Sequence, residues 1–236
     1  MGSGIGVGLL GVGTVGGGVA SILQSPSERD PRVGDLERGR VAVRDLNRPR
    51  SVELPIEILT TDPAVVVNDP AVDVVVEVIG GIEPARSLIL QAIAAGKSVV
   101  TANKAVIARH GEEIADAATK AGVYVLIEAA VGGGIPIIEP LKQSLGGNRI
   151  NRVSGIINGT TNYILTRMAD DGAAYESVLK DAQDLGYAEA DPAADVDGLD
   201  AADQIALLAH LAFGGSVERS AVPTAGITQL HGRDVD

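Results

Sequence analysis

The 236-residue chain has no cysteine and no tryptophan, and aromatic residues make up only 2% of it. Without cysteine it can form neither a disulfide nor a thiolate metal site, a composition that fits the cytoplasm. Histidine is scarce as well: His110, His210 and His231 lie far apart and build no metal motif or catalytic triad. Positive charge is in deficit, with 19 Lys and Arg against 31 Asp and Glu and a net charge of -12. Such a chain lacks the basic patch that nucleic-acid phosphates or an anionic membrane surface demand. Long apolar runs are missing too, none approaching the ~20 residues of a transmembrane helix. Residues 1–23 have no basic leading segment and are broken by glycine, which argues against a signal peptide. No internal repeat is present.

What remains is 45% hydrophobic residues, so Val, Ile, Leu and Ala must build the core, and 30 glycines without a collagen-like period point to many tight turns. The length suffices for one large or two modest domains. Short β-branched runs at Ile5–Leu10, Arg40–Arg44, Val72–Val78, Ser98–Thr101 and Val123–Ile127 read as strands. Between them Val15–Gln24, Pro84–Ala95 and Ala105–Ala121 read as helices, with Gly96 and Gly122 placed as C-terminal caps. Ser25–Gly39, polar and proline-containing, reads as a surface excursion. Alternating strands and helices predict an α/β fold, a Rossmann-type doubly wound parallel sheet. After Gly134 the rhythm changes: Pro136–Ser144 reads as a helix, Ile150–Ile157 as a strand, and the rest is helix-rich up to Phe213. Residues 1–135 are thus expected to form a dinucleotide-binding domain. Residues 136–236 are expected to form an α+β domain for substrate and dimerisation. Ile227–Leu230, in the loop-like tail, reads as a strand without partners.

Gly11-Val12-Gly13-Thr14-Val15-Gly16 follows a strand and opens a helix. In a dinucleotide site Gly11 permits the tight turn, Gly13 lets the pyrophosphate approach, and Gly16 lets the helix pack on the sheet, with Thr14 and Val15 at the helix start. A glycine-rich structural turn is the alternative. Arg44, at the end of the second strand, can accept the 2′-phosphate of NADP, whereas Asp45 would suit the ribose of NAD. Gly80 lies in a Gly-Gly pair that either skirts a nicotinamide ribose or simply enters a helix. Lys104, after Thr101-Ala102-Asn103, can neutralise a developing alkoxide or be an ordinary solvated lysine. Glu189, Asp191, Asp195, Asp197 and Asp200 form an acidic cluster suited to an ammonium group, or a solvated acidic loop.

Five runs resemble the homoserine dehydrogenase family. They are Gly80–Pro84, Thr101–Ala105, Glu128–Pro136, the Asn-Gly-Thr-Thr-Asn-Tyr run at Asn158–Tyr163, and the Tyr-x-Glu-x-Asp-Pro loop within Gly186–Pro192. With the glycine turn they keep the family's order along residues 5–213. The resemblance implies NAD(P)-dependent interconversion of L-homoserine and L-aspartate 4-semialdehyde in a cytoplasmic homodimer or higher homo-oligomer. It places Lys104 at cofactor and substrate and Glu189 at the substrate amino group, with Asp200 orienting substrate and the family's lysine, and Asp195 in support. Gly159 and Thr160 would line the amino-acid site, while Gly186 and Thr101 would touch the cofactor. It further implies a monovalent cation, sodium, held by Glu128 and the carbonyls of Val131, Gly133 and Ile135, oxygen ligands that suit a hard ion.

Two departures stand out. The family has a lysine, taken as the proton donor, where this chain has Gln204. Asp200 and Gln204 are spaced i,i+4 and so share a helix face. Glutamine can hydrogen-bond but neither carries charge nor readily donates a proton at neutral pH, and acid–base participation is worth roughly 100- to 10,000-fold. The family's catalytic region also continues beyond the stretch matched here, and many members add a regulatory ACT domain. The second domain therefore reads as incomplete.

Overall fold

The computed structural model describes residues 4–27, 29–215 and 217–235. The chain separates into two compact units, residues 1–130 and 131–236.

The first unit is built on six parallel strands: β1 (Ile5–Leu10), β2 (Leu36–Ala42), β3 (Leu59–Thr60), β4 (Val74–Glu77), β5 (Ser98–Thr101) and β6 (Val125–Leu126). Their order is β3-β2-β1-β4-β5-β6. The chain therefore winds outward from β1 in one direction and then from β4 in the other, leaving a crevice at the carboxyl ends of β1 and β4. Helices α1 (Thr14–Gln24), α2 (Pro63–Val67), α3 (Ala85–Ala94) and α4 (Lys104–Ala121) supply the crossovers. Val7, Leu9, Val41 and Val76 form one buried cluster with Ala20 of α1. That packing explains why α1 is helical despite Gly16, Gly17 and Gly18, each costing about 1 kcal/mol relative to alanine. A Cβ on Gly16 would stand 2.1 Å from the Gly11 carbonyl oxygen, so only glycine lets this helix sit so close to the preceding turn.

The second unit holds α5 (Gly159–Asp171), α6 (Tyr175–Asp184), α7 (Ala193–Val196) and α8 (Leu199–Phe213). Ile164 and Met168 of α5, Tyr175, Val178 and Ala182 of α6, and Val196 of α7 form its core, with Ile227, Leu230 and Val235 packed against them. Burial pushes the Tyr175 hydroxyl above the ordinary tyrosine range, and Asp197 and Glu176 add to the shift. Arg219 donates to buried Asp203 at 2.5 Å and to the Leu199 carbonyl at 3.0 Å, fastening the tail to α8.

Several expectations are corrected. The second strand is Leu36–Ala42 rather than Arg40–Arg44, so the surface excursion ends earlier. Only Val41 and Ala42 pair with β3, so the first half of β2 has no strand on that side, and its exposed Glu37 and Arg40 hid it. Strand β3 and helix α2 were missed, although Asp62 capping Pro63 is a legible helix start. Of Pro136–Ser144 only residues 138–144 are helical: Leu141 N–H on the Ile137 carbonyl at 3.1 Å starts an ordinary turn, and Leu145 N–H on the Pro140 carbonyl at 2.9 Å closes a wider one. Pro140 lies in the first turn of this stretch, where its missing N–H leaves no intrahelical bond unmade. Ile150–Ile157 forms no ladder among the described residues, because nothing there supplies a neighbouring strand. Ile227–Leu230 is a bend and turn, closed by Leu230 N–H on Ile227 O at 3.0 Å and tied to α7 by Ile227 N–H on Val196 O at 2.8 Å.

Candidate active site

In the first unit the Gly11–Gly16 turn lies at the carboxyl end of β1. Gly11 takes φ +101, and a Cβ there would meet the Val78 carbonyl at 2.9 Å. Gly13 has nothing within 4 Å of the same position, so its backbone faces open space. These are the properties a pyrophosphate cradle needs: a sharp turn, an unobstructed approach and a close-packed helix start. Thr14 and Val15 begin α1 and are exposed. The turn is welded to its neighbours by Gly11 N–H on Ala42 O and Val78 N–H on Leu10 O, both 3.0 Å.

Arg44 is exposed two residues beyond β2. The Asp45 carboxylate accepts from Asn47 N–H at 2.8 Å, and Arg50 donates to the Asp45 and Leu46 carbonyls. Asp45 is thus engaged in shaping its own loop, and Arg44 is the exposed charge beside it.

Gly80 and Gly81 follow β4, both with positive φ. Thr101 ends β5 fully buried, and Lys104 opens α4 behind its cap Asn103. Sequence reasoning missed the residue that joins these turns. Glu77, at the end of β4 and 0% exposed, accepts from Thr101 Oγ1 at 2.7 Å and from Ile79 N–H at 2.9 Å.

In the second unit Asn158 caps α5, accepting from Thr161 N–H at 2.8 Å, and so places Gly159 and Thr160 in the first turn. Thr160 Oγ1 donates to the Tyr187 carbonyl at 2.8 Å and Gln183 Nε2 to the Glu189 carbonyl at 3.1 Å, which pins the loop that follows Gly186. Asn158 Nδ2 donates to Asp195 at 2.7 Å and to Asp200 at 3.2 Å. Gln204 Nε2 donates to the same Asp200 oxygen, Oδ2, and to the Ile157 carbonyl, each at 2.7 Å. Its Oε1 accepts from Gly132 N–H at 3.0 Å. Asp195, Asp200 and Gln204 are therefore brought together, with Asn158 as the linking residue that the sequence did not single out. Its signal was an Asn immediately before Gly-Thr-Thr. Glu189 stands exposed on the neighbouring loop, as do Asp191 and Asp197, outside that network.

Glu128 lies in a 3-10 turn at the end of the first unit. At the start of the second, Gly132 and Gly133 both take positive φ, and Ile135 N–H closes the turn on the Gly132 carbonyl at 3.1 Å. Among the described residues no group of three or more His, Cys, Asp or Glu side chains is arranged to hold a metal. The donor set expected from the sequence, one carboxylate and backbone carbonyls of Val131, Gly133 and Ile135, is of another kind and chemically suits a hard monovalent ion.

Residues 11–128 match the homoserine dehydrogenase NAD-binding domain family, and residues 136–236 match the homoserine dehydrogenase family. This chain belongs to the homoserine dehydrogenase family. It is 62% identical over 229 residues to a homoserine dehydrogenase of Synechocystis sp., a match covering 97% of this chain and 53% of that protein. The homoserine dehydrogenase structure from Thiobacillus denitrificans has a TM-score of 0.89 and 50% identity, covering 98% of this chain and 54% of that one. A hyperthermophilic archaeal homoserine dehydrogenase in complex with NADPH has a TM-score of 0.80 and 25% identity, covering 97% and 76%. The chain spans about half the length of the curated relatives it matches. The glycine cradle opens the region that matches the NAD-binding domain, and Gln204 falls within the second matched region. Among the described residues no helix is long and apolar enough to cross a membrane.

Proposed function

We propose that the protein to which this chain belongs interconverts L-homoserine and L-aspartate 4-semialdehyde with NADP preferred over NAD, and that Gln204 holds its turnover low. The observation carrying this reading is the 2.7 Å hydrogen bond from Gln204 to Asp200, at the place where the resemblance expects the proton-donating lysine. The bound dinucleotide would supply or accept the hydride. The chain's own work is binding, orientation and proton management. Gly11, Gly13 and Gly16 give the pyrophosphate its approach, and Arg44 meets a 2′-phosphate. Glu189 holds the substrate ammonium, Asp200 orients the substrate and the side chain at 204 with Asp195 in support, and Gly159 and Thr160 shape the amino-acid pocket. Lys104 orients the reacting oxygen and offsets its developing charge. The side chain at 204 would deliver the proton, and glutamine can only hydrogen-bond there. Glu128, Val131, Gly133 and Ile135 would hold a monovalent cation. We assign the protein to the cytoplasm as a homodimer or larger homo-oligomer.

One observation favours a second reading, a catalytically silent NADP-binding homologue that senses cofactor or assembles with another protein. Gln204 is 4% exposed and bonded to three partners, so the pocket is well satisfied without a lysine. Reduction of aspartate semialdehyde by the full-length protein and by its Gln204→Lys variant separates the two. The first reading expects weak activity that rises roughly 100- to 10,000-fold in the variant. No activity in either overturns it in favour of the second.

A further inference from the structure

We propose that Glu77 is a positioning residue for the nicotinamide half of the cofactor site, acting through Thr101 and Asn103; this rests on the reading that the chain binds NAD(P). A carboxyl group with no exposed surface at the end of a sheet strand is costly to bury, and an apolar side chain of similar size would pack beside Leu10 without that cost. What the carboxyl group does that an apolar one cannot is gather two turns. One oxygen accepts from Ile79 N–H at 2.9 Å, fixing the chain that runs into Gly80 and Gly81. The other accepts from Thr101 Oγ1 at 2.7 Å. Thr101 Oγ1 in turn accepts from Asn103 N–H at 2.9 Å, and Asn103 Nδ2 donates to the Gly81 carbonyl at 2.7 Å. The ring Glu77–Thr101–Asn103–Gly81 thereby closes on itself, with Glu77, Thr101 and Asn103 all buried.

The ring sits between features assigned to the cofactor. The Cα of Ile79 is 3.4 Å from where a Gly11 Cβ would be, so the turn Glu77 fixes is the one the pyrophosphate loop rests on. Asn103 also caps α4, accepting from Val106 N–H at 3.3 Å, and the residue that opens that helix is Lys104. In an open α/β sheet the crevice at these strand ends is where a dinucleotide extends toward its reacting end. Glutamine at 77 could accept only one of the two donors and would turn an NH2 group on the other. The two turns would lose their common anchor while the sheet and the adenine side of the site stay in place.

The test compares two ligands on the full-length protein by calorimetry: NADPH, and 2′,5′-ADP, which has the adenosine and its phosphates but no nicotinamide. Glu77→Gln should weaken NADPH about tenfold (about 1.4 kcal/mol) and leave 2′,5′-ADP within about twofold. Asn103→Asp keeps the helix cap but removes the donor to Gly81, so it should show the same split, and it decides the matter if Glu77→Gln fails to fold. Adding Thr101→Val to Glu77→Gln should weaken NADPH less than the two single effects combined, because both act through one link. Equal weakening of both ligands would reduce Glu77 to a structural role and overturn the inference, as would unchanged NADPH binding. Failure of the unaltered protein to bind either ligand would instead overturn the cofactor reading itself.

Discussion

Replacing Gln204 tests the chemistry and the architecture at once, because its amide makes three bonds that different substitutions remove in different sets. Gln204→Leu deletes all of them and leaves Gly132 N–H, the Ile157 carbonyl and Asp200 Oδ2 without that partner. Gly132 N–H and the Ile157 carbonyl are partly buried and each loss costs about 1–3 kcal/mol at most, while Asp200 Oδ2 keeps Asn158 Nδ2 at 3.2 Å. The two deprived groups share one site that can relax, so their costs are not additive and a total of about 2 kcal/mol is expected. Gln204→Lys keeps the two donor contacts, and its bond to Asp200 becomes charge-assisted, but it loses the acceptor for Gly132 N–H. The gain, about 1 kcal/mol, partly offsets the orphaned amide, for a net loss of about 1 kcal/mol.

Denaturant unfolding monitored by circular dichroism, alongside steady-state oxidation of NADPH, reads both quantities. The expected pattern is a large stability loss without turnover for Gln204→Leu. Gln204→Lys should lose about 2–4 °C in Tm while turnover rises roughly 100- to 10,000-fold. A Gln204→Leu variant as stable as the parent would refute the argument that these bonds fasten α8 to the Val131–Ile135 turn and to Ile157. Lysine at this position without a gain in turnover would refute the assignment of the missing proton to residue 204.

Substitutions at three further positions have distinct signatures, and an ion pair adds a pH dependence. Gly16→Ala sets a methyl group against the Gly11 carbonyl and should destabilise at the upper end of the about 1–3 kcal/mol typical of overpacking. Gly13→Ala meets nothing within 4 Å, so it should fold with near-parental Tm, within about 0.5 kcal/mol, yet bind NADPH more weakly; the opposite ranking in thermal melts would sink the cradle geometry. Asn158→Ala removes the α5 cap, worth about 1 kcal/mol, together with the donor shared by Asp195 and Asp200. Asn158→Ser should recover the melting temperature but not the raised KM for the amino-acid substrate, since serine can cap but cannot reach both carboxylates. The Arg86 guanidinium hydrogen-bonded to Glu113 holds its carboxyl below the usual glutamate range. A lowered folded-state pKa stabilises above the unfolded value and is lost as pH falls through the folded one. The Tm advantage of the parent over Glu113→Gln should therefore be steady at neutral pH and fade below about pH 4; an advantage that persists in acid would show that the pair does not act through its charge.

How much of the fold and site is legible in the sequence depends on how far apart along the chain the cause of each feature lies. The turn Gly11–Gly16 carries its whole reason within six residues, and the Asp200–Gln204 contact lies within one helical step. Both can be read from the linear chain. A strand is different, because its partner defines it. Ile150–Ile157 has the composition of one and stays unpaired among the described residues, while polar β2 is a strand because β1 runs beside it. The same logic hid the linking residues. Glu77 reads as a stray charge in an apolar run until Thr101, 24 positions later, donates to it. Asn158 is only the first residue of a motif until Asp195 and Asp200 arrive 37 and 42 positions on. Sequence motifs name the residues expected to touch a ligand, since those are chosen by the ligand's chemistry. The residues that hold them in place are chosen by neighbours the fold supplies, and for Glu77 and Asn158 those neighbours are hydrogen-bond partners distant in the chain that no local pattern announces.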